Sequence, residues 1–231
     1  MRTKTLLLTA ALSVAGIATS MAQAVYSVNA VGYVNTDLVP GFNLISNPLD
    51  NQSGNTIANL FTTGVQGGVP NQFTVYHFNP TTDDFESTAY DDIDQAFLGA
   101  AANVVIPPGT GVFVFVPQSA GNKRVTFVGE VPQGADSNIT IPQGFSIKAS
   151  TVPISGPVNG ANSHNFPAAQ GDTIYEWDKT AQTYVSASFD DIDGTWLRNG
   201  QPAVPVIDVG EAFFVFKSAQ AAWDRNFTVN Q

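Results

Sequence analysis

Asp91, Asp92 and Asp94 bracket Ile93, and the same arrangement returns as Asp190, Asp191 and Asp193 around Ile192. Three carboxylates within four residues are hard oxygen donors of the kind calcium takes, and calcium gathers about six to eight such oxygens, including carbonyls and water. Calcium is the ion these residues would suit, and no motif for any other cofactor is present. The spacing is not that of an EF-hand, because the central glycine and the closing glutamate are missing. A charged turn that ends a strand and keeps a sheet edge soluble uses the same residues. A second candidate chemistry is sugar stacking by Trp177, Tyr184 and Trp196. Trp177 falls where the first half of the chain has Phe78, an exchange that a packed core also tolerates.

Acid–base and nucleophilic chemistry has little material. The two histidines are His77, on a strand position expected to face solvent, and His164, in the polar stretch Asn162-Ser163-His164-Asn165. A serine nucleophile needs a positioned base and an orienting acid, and no Gly-x-Ser-x-Gly occurs. Glycosidase carboxylates flank one scissile bond, whereas the acids here fall in repeated turns. With no cysteine, thiolate nucleophiles, disulfides and cysteine-bound metals are all excluded. The chain therefore reads as a non-enzyme.

These residues sit on a repeat. Val75-Tyr76-His77-Phe78-Asn79 returns as Ile174-Tyr175-Glu176-Trp177-Asp178, and the match runs without a gap into the aspartate tetrads. Gly41-Phe42-Asn43-Leu44-Ile45 matches Gly144-Phe145-Ser146-Ile147-Lys148, and Gly111-Val112-Phe113-Val114-Phe115 matches Ala212-Phe213-Phe214-Val215-Phe216. The offsets run from 99 to 103. Each block reads as a strand bounded by turn residues. Tyr76 with Phe78, and Tyr175 with Trp177, share strand faces that should point inward. Val112–Val116 and Ala212–Phe216 are apolar on both faces and predict central strands. Residues 79–84 and 178–182 predict hairpin loops. Helix is confined to a turn or two around Thr56–Phe61.

The expected fold is all-β, with two tandem homologous β-sandwich or barrel-like modules at 25–127 and 128–231, after a cleaved leader at 1–24. The leader has Arg2 and Lys4, an apolar run from Leu6 to Ile17 and the small residues of Ala22-Gln23-Ala24, which places cleavage after Ala24, or else after Ala22. Export to the periplasm, cell surface or medium follows, with no membrane insertion, since the run is shorter than a bilayer span of about 20 residues. Removing residues 1–24 takes two cations and no acid, so the formal charge moves from −10 to −12. The remaining cations are scattered, which argues against a nucleic-acid partner. No flexible linker separates the modules, so they should pack rigidly. The strand joining them, Phe127-Val128-Gly129-Glu130-Val131, has relatives at both chain ends, in Tyr26–Val34 and Phe227–Asn230.

Over nearly its whole mature length the chain resembles secreted two-repeat all-β proteins of uncharacterised function, numerous in verrucomicrobial bacteria. The residues that carry the likeness are Val25–Val34, Gly41–Asp50, Phe127–Val131, Val209–Val215 and Ala222–Asn230. The resemblance implies no activity, cofactor or catalytic residue, and its pattern does not include the aspartate tetrads. The function expected is that of a secreted, non-enzymatic structural or cell-envelope interaction protein acting through β surfaces. The alternative is a carbohydrate-binding or adhesive module, assisted by calcium. Expected partners are another copy, through the terminal strands, or an extracellular polysaccharide.

Overall fold

The computed structural model describes residues 30–229. The expected leader, its cleavage site and the first residues of the opening strand lie outside them. The chain is mostly β. In order it forms β1 (Val31–Leu38), β2 (Gly41–Ser46), helix α1 (Ile57–Gly64), β3 (Thr74–Asn79), β4 (Asp84–Asp91), β5 (Ala96–Leu98), β6 (Gly111–Val116) and β7 (Lys123–Glu130). There follow β8 (Ile139–Ile141), β9 (Gly144–Lys148), β10 (Gly156–Pro157), β11 (Thr173–Asp178), β12 (Thr183–Asp190), β13 (Thr195–Arg198), β14 (Gln201–Pro202), β15 (Val206–Ile207), β16 (Phe213–Lys217) and β17 (Ala221–Trp223). Among the described residues no helix is long and apolar enough to cross a membrane.

Two large antiparallel sheets dominate. The first has the order β2-β6-β3-β4-β5 and the second β14-β13-β12-β11-β16-β9. The repeated sequence blocks fall on strands in matching places, with β2, β6, β3, β4 and β5 answering to β9, β16, β11, β12 and β13. Neither sheet closes into a barrel, and neither half is a sandwich of two large sheets as expected. The two large sheets instead pack against each other, and each has its outer face covered by its own half of the chain.

Strand alternation explains this layering. In β6 the even-numbered Val112, Val114 and Val116 join a core with Ile57, Phe61, Phe73 and Phe127. Phe113, between them, turns to the other face and packs with Ile147, Ala149 and Ala212 of the second half. In β16 Phe213 and Val215 join a core with Phe166, Trp196 and Trp223, while Phe214 meets Phe78 at 4.9 Å between ring centroids. A strand covered on both faces has no polar face, which is why Val112–Val116 and Ala212–Phe216 read as continuous apolar runs. Helix α1 supplies the first cover. Thr56 caps it by accepting the Asn59 N–H at 3.2 Å, and its buried side includes Ile57, Leu60 and Phe61.

The opening strand finds its partner inside the chain: β1 pairs with β7 over eight positions, from Val31 opposite Glu130 to Leu38 opposite Lys123. The closing segment bridges Phe227 to Gly134.

The contacts between the large sheets are reciprocal, as a local two-fold requires. The Ser46 N–H donates to Gly210 O at 2.9 Å, and the Ala149 N–H donates to Gly109 O at 3.1 Å. Ile45 bridges Glu211 and Thr110 bridges Lys148, which are corresponding positions of the repeat. At the centre of the exchange Gly111 faces its own counterpart, Ala212. A Cβ on Gly111 would collide with that of Ala212 and lie 2.6 Å from Ile147 Cγ2. Only one of the two positions can carry a methyl group. Gly111→Ala should therefore destabilise the protein by about 1–3 kcal/mol through overpacking, and adding Ala212→Gly should recover part of that loss in denaturant titration, the contact with Ile147 remaining. A double variant no more stable than Gly111→Ala alone would contradict this packing.

Candidate functional site

Each aspartate tetrad occupies the turn after the second strand of a hairpin, β4 or β12. Asp91 Oδ1 accepts the N–H groups of Ile93 and Asp94 at 2.8 and 3.1 Å. Asp190 Oδ1 accepts the Ile192 N–H at 2.9 Å, and the Asp191 N–H donates to Gln170 Oε1 at 2.9 Å. The first aspartate of each tetrad thus holds its own backbone turn, an ordinary task for this side chain. Ile93 and Ile192, at 88% and 90% exposure, point away from the protein. Among the described residues no group of three or more His, Cys, Asp or Glu side chains is arranged to hold a metal ion.

The three aromatic candidates separate. Trp196 is fully buried, packed on Phe166 and Phe189 at 5.8 and 5.4 Å, with its indole N–H donating to Asn159 Oδ1 at 2.7 Å. It is a core ring and no platform for a sugar. Trp177 and Tyr184 stand together, 4.9 Å apart and near perpendicular, in the seam between the sheets. The β11–β12 hairpin that carries them is fastened to β2, the edge strand of the first sheet. Gln182 accepts the Phe42 N–H at 2.8 Å and donates to Phe42 O at 2.9 Å, doing for one residue what a neighbouring strand would do for an edge. The Trp177 indole N–H donates to the same carbonyl at 2.9 Å, and Lys179 Nζ reaches Asp37 O at 3.0 Å.

Trp177 and Tyr184 join Phe42, Tyr76, Phe85 and Phe113 around an open crevice of about 390 Å³ with almost no polar surface. Phe113 anchors it, 5.3 Å from Trp177 and 6.2 Å from Phe42. Phe42, Phe85 and Tyr184 are 37%, 42% and 44% exposed. The seam continues past the crevice through Phe214 to Phe145, the repeat counterparts of Phe113 and Phe42. The result is one aromatic trough with its mid-point at Phe85 and Tyr184, themselves repeat counterparts. Sequence reasoning named two of the six crevice residues. The signal for the others was present in Phe42, Tyr76, Phe85 and Phe113 recurring as Phe145, Tyr175, Tyr184 and Phe214.

Two further crevices flank the seam and correspond under the repeat. One, of about 520 Å³, is lined by Asp50, Pro107–Thr110, Glu130 and Lys148 among others. The other, of about 300 Å³, is lined by Asn35–Asp37, Trp177 and Asp208–Glu211 among others. Burial pushes Lys148 down. Burial pushes Glu211 up against the hydrogen bond it accepts from the Asp208 N–H, with the charges of Asp208 and Glu176 adding to the rise and Lys179 opposing it. These two groups line different crevices and make no acid–base pair.

Both histidines depart from the expected surface positions. His77 is half-buried, with its Nδ1 unpartnered, and burial holds its pKa down against the pull of Glu86. His164 is fully buried, because its loop folds over the second sheet as a cover that places Val158 and Phe166 in the core. Arg225 Nη1 lies 3.2 Å from His164 Nδ1, and His164 Nε2 lies 3.2 Å from Ile207 O. Arg225 can only donate, so Nδ1 accepts and Nε2 carries the proton toward Ile207. The His164 carbonyl also accepts the Trp223 indole N–H at 2.8 Å and Arg225 Nη1 at 2.6 Å.

Comparison with protein-family models, curated proteins and solved structures finds no match.

The histidines generate a pH dependence. Burial lowers the pKa of His164, with Arg225 adding to that effect and hydrogen bonds to Ile207 and Gly156 opposing it. A lowered folded pKa means that the unfolded chain takes the proton first, so stability is intact above about pH 6.5 and falls as pH drops through the lowered value. Thermal unfolding between pH 7.5 and pH 5, values chosen to bracket about 6.5, should show a falling Tm. His164→Gln should flatten that slope and leave the part owed to His77. An unchanged slope in His164→Gln would contradict the assignment.

Proposed function

We propose that this chain is an exported, non-enzymatic structural or cell-envelope interaction protein, and that it works through the aromatic trough between its two sheets. We read it as two copies of one β module that were joined and then packed face to face, in keeping with its resemblance to secreted two-repeat proteins of verrucomicrobial bacteria. The observation that carries the reading is the crevice itself, six aromatic rings with almost no polar surface, three of them more than a third exposed. Soluble proteins seldom leave a contiguous apolar face uncovered without a use for it, and aromatic rings supply large contact area at low entropy cost. A strand-end route to self-assembly is less well supported, because β1 has its partner in β7.

Carbohydrate binding is the second reading, and the pairing of Trp177 with Tyr184 is the observation that favours it. Those two rings would stack on the apolar sides of pyranoses, while the hydroxyl groups of a sugar would have to find polar partners outside the crevice, whose own lining has almost none.

The test is binding of the purified protein to isolated cell-envelope material, with insoluble polysaccharides in parallel. Phe85→Ser with Tyr184→Ser removes the mid-point of the trough at two partly exposed positions. Binding to envelope should fall by about tenfold or more, corresponding to about 1.4 kcal/mol, with the folded structure retained by circular dichroism. Preferential binding to one polysaccharide, lost in the same variant, would favour the second reading. Unchanged binding by the variant would contradict both.

A further inference from the structure

Asp172 and Lys217 are buried together in the second half, with side chains 0% and 1% exposed. Asp172 directly precedes β11 and Lys217 ends β16. These strands pair with Thr173 opposite Phe216, so Asp172 and Lys217 are the next positions to face each other. Lys217 Nζ donates to Asp172 Oδ2 and to Pro167 O at 2.6 Å, and it lies 5.3 Å from the Phe166 ring centroid. Asp172 Oδ2 also accepts the Ala169 N–H at 2.8 Å. Asp172 Oδ1 accepts both the N–H and the hydroxyl of Ser218, at 2.9 and 3.0 Å.

The corresponding positions in the first half are Phe73 and Val116, both at 0% exposure. One sheet is thus held by an apolar pair where its counterpart places two opposite charges out of water. Replacing such a pair by apolar residues is often neutral or stabilising, and the first half carries that replacement. A buried lysine amine is also a nucleophile once it sheds its proton. The chain has no cysteine, so no disulfide can staple it.

The geometry points to Lys217 and Asp172 as the two halves of an amide cross-link that the folded chain forms by itself. One ammonium proton passes to Oδ2 within the ion pair. The neutral amine attacks Cγ, and the charge that develops on Oδ1 is met by the two Ser218 donors, which already point at it as an oxyanion hole does. A second Nζ proton goes to Oδ2, the Cγ–Oδ2 bond breaks, and Oδ2 leaves as water. One ammonium and one carboxylate become one amide and one water, with no change of oxidation state and no co-reactant. In the product the amide carbonyl keeps the Ser218 donors, the amide N–H keeps Pro167 O, and both buried charges are gone. The link ties residues 45 apart and locks the start of β11 to the end of β16.

Intact-mass measurement of the full exported chain, with its N-terminus fixed by peptide mapping, reads the bond directly. The protein should be one water lighter than its sequence, and proteolysis should release a branched peptide joining the segments around Asp172 and Lys217. Lys217→Arg keeps the charge pair and cannot form this amide, so it should have the full mass and a lower Tm. A wild-type protein of full mass, with Asp172 and Lys217 recovered on separate peptides, would overturn the cross-link whatever the variant does.

Discussion

Two sheets that each carry aromatic rings on one face must bury those faces or leave them in water. In this protein each sheet buries the face of the other, and most of the architecture follows from that contact. At Gly111 in β6 and Ala212 just before β16, the contact leaves room for a single methyl group. Reciprocal backbone bonds, from Ser46 to Gly210 and from Ala149 to Gly109, hold the contact on either side of this point. The aromatic trough is the open margin of the same contact, formed where the rings of Phe42, Phe85, Phe145 and Tyr184 run out past the packed centre. The candidate functional surface and the main stabilising interface therefore share residues, which restricts how either can change.

The two halves solve the same packing problem with different side chains, and the differences lie where chemistry is concentrated. Phe73 and Val116 give way to Asp172 and Lys217, and Ile45 gives way to Lys148. His77 gives way to Glu176, which is ion-paired with Arg198. The cover over the first sheet includes α1 and the β1–β7 ribbon. The cover over the second combines the β8–β17 ribbon, which gives Ile141 and Trp223 to the core, with irregular chain from 149 to 172, whose His164 is bonded to Arg225 and Trp223. Irregular backbone under burial must find hydrogen-bond partners, and the polar side chains of this segment supply several. Asn159 donates to Phe166 O at 2.7 Å, and Ser150 bonds the Val152 carbonyl at 2.9 Å.

Much of this was legible in the residues. The repeat blocks located β2, β3 and β6 with their counterparts, and the two-sided apolar runs of Val112–Val116 and Ala212–Phe216 correctly marked interior strands. The hairpin loops at 79–84 and 178–182 were visible from their turn chemistry. What the residues did not carry was the partner of each face. Alternation in Tyr76-His77-Phe78 says that two rings share a side, yet it does not say whether that side meets its own module or the other one. Burial of His164 was hidden for a related reason, since a polar tetrapeptide reads as surface unless the tertiary fold is known to lay it over a sheet. Trp196 was ambiguous because a strand aromatic has the same local signature in a core and on a sugar platform. The aspartate tetrads were recognisable as a repeated feature, while their use as turn supports depends on backbone geometry that residue spacing alone does not specify.

The inter-sheet seam should make the two halves one cooperative body. Amide hydrogen exchange under native conditions tests it most directly, because the Ser46 and Ala149 amides exist as protected groups only while the sheets are in contact. These two amides should exchange as slowly as those in the middle of β6 and β16, by the same global opening and with the same response to denaturant. Fast exchange at Ser46 and Ala149, while β6 and β16 stay protected, would show that the sheets part without unfolding and that the two halves are not one cooperative body.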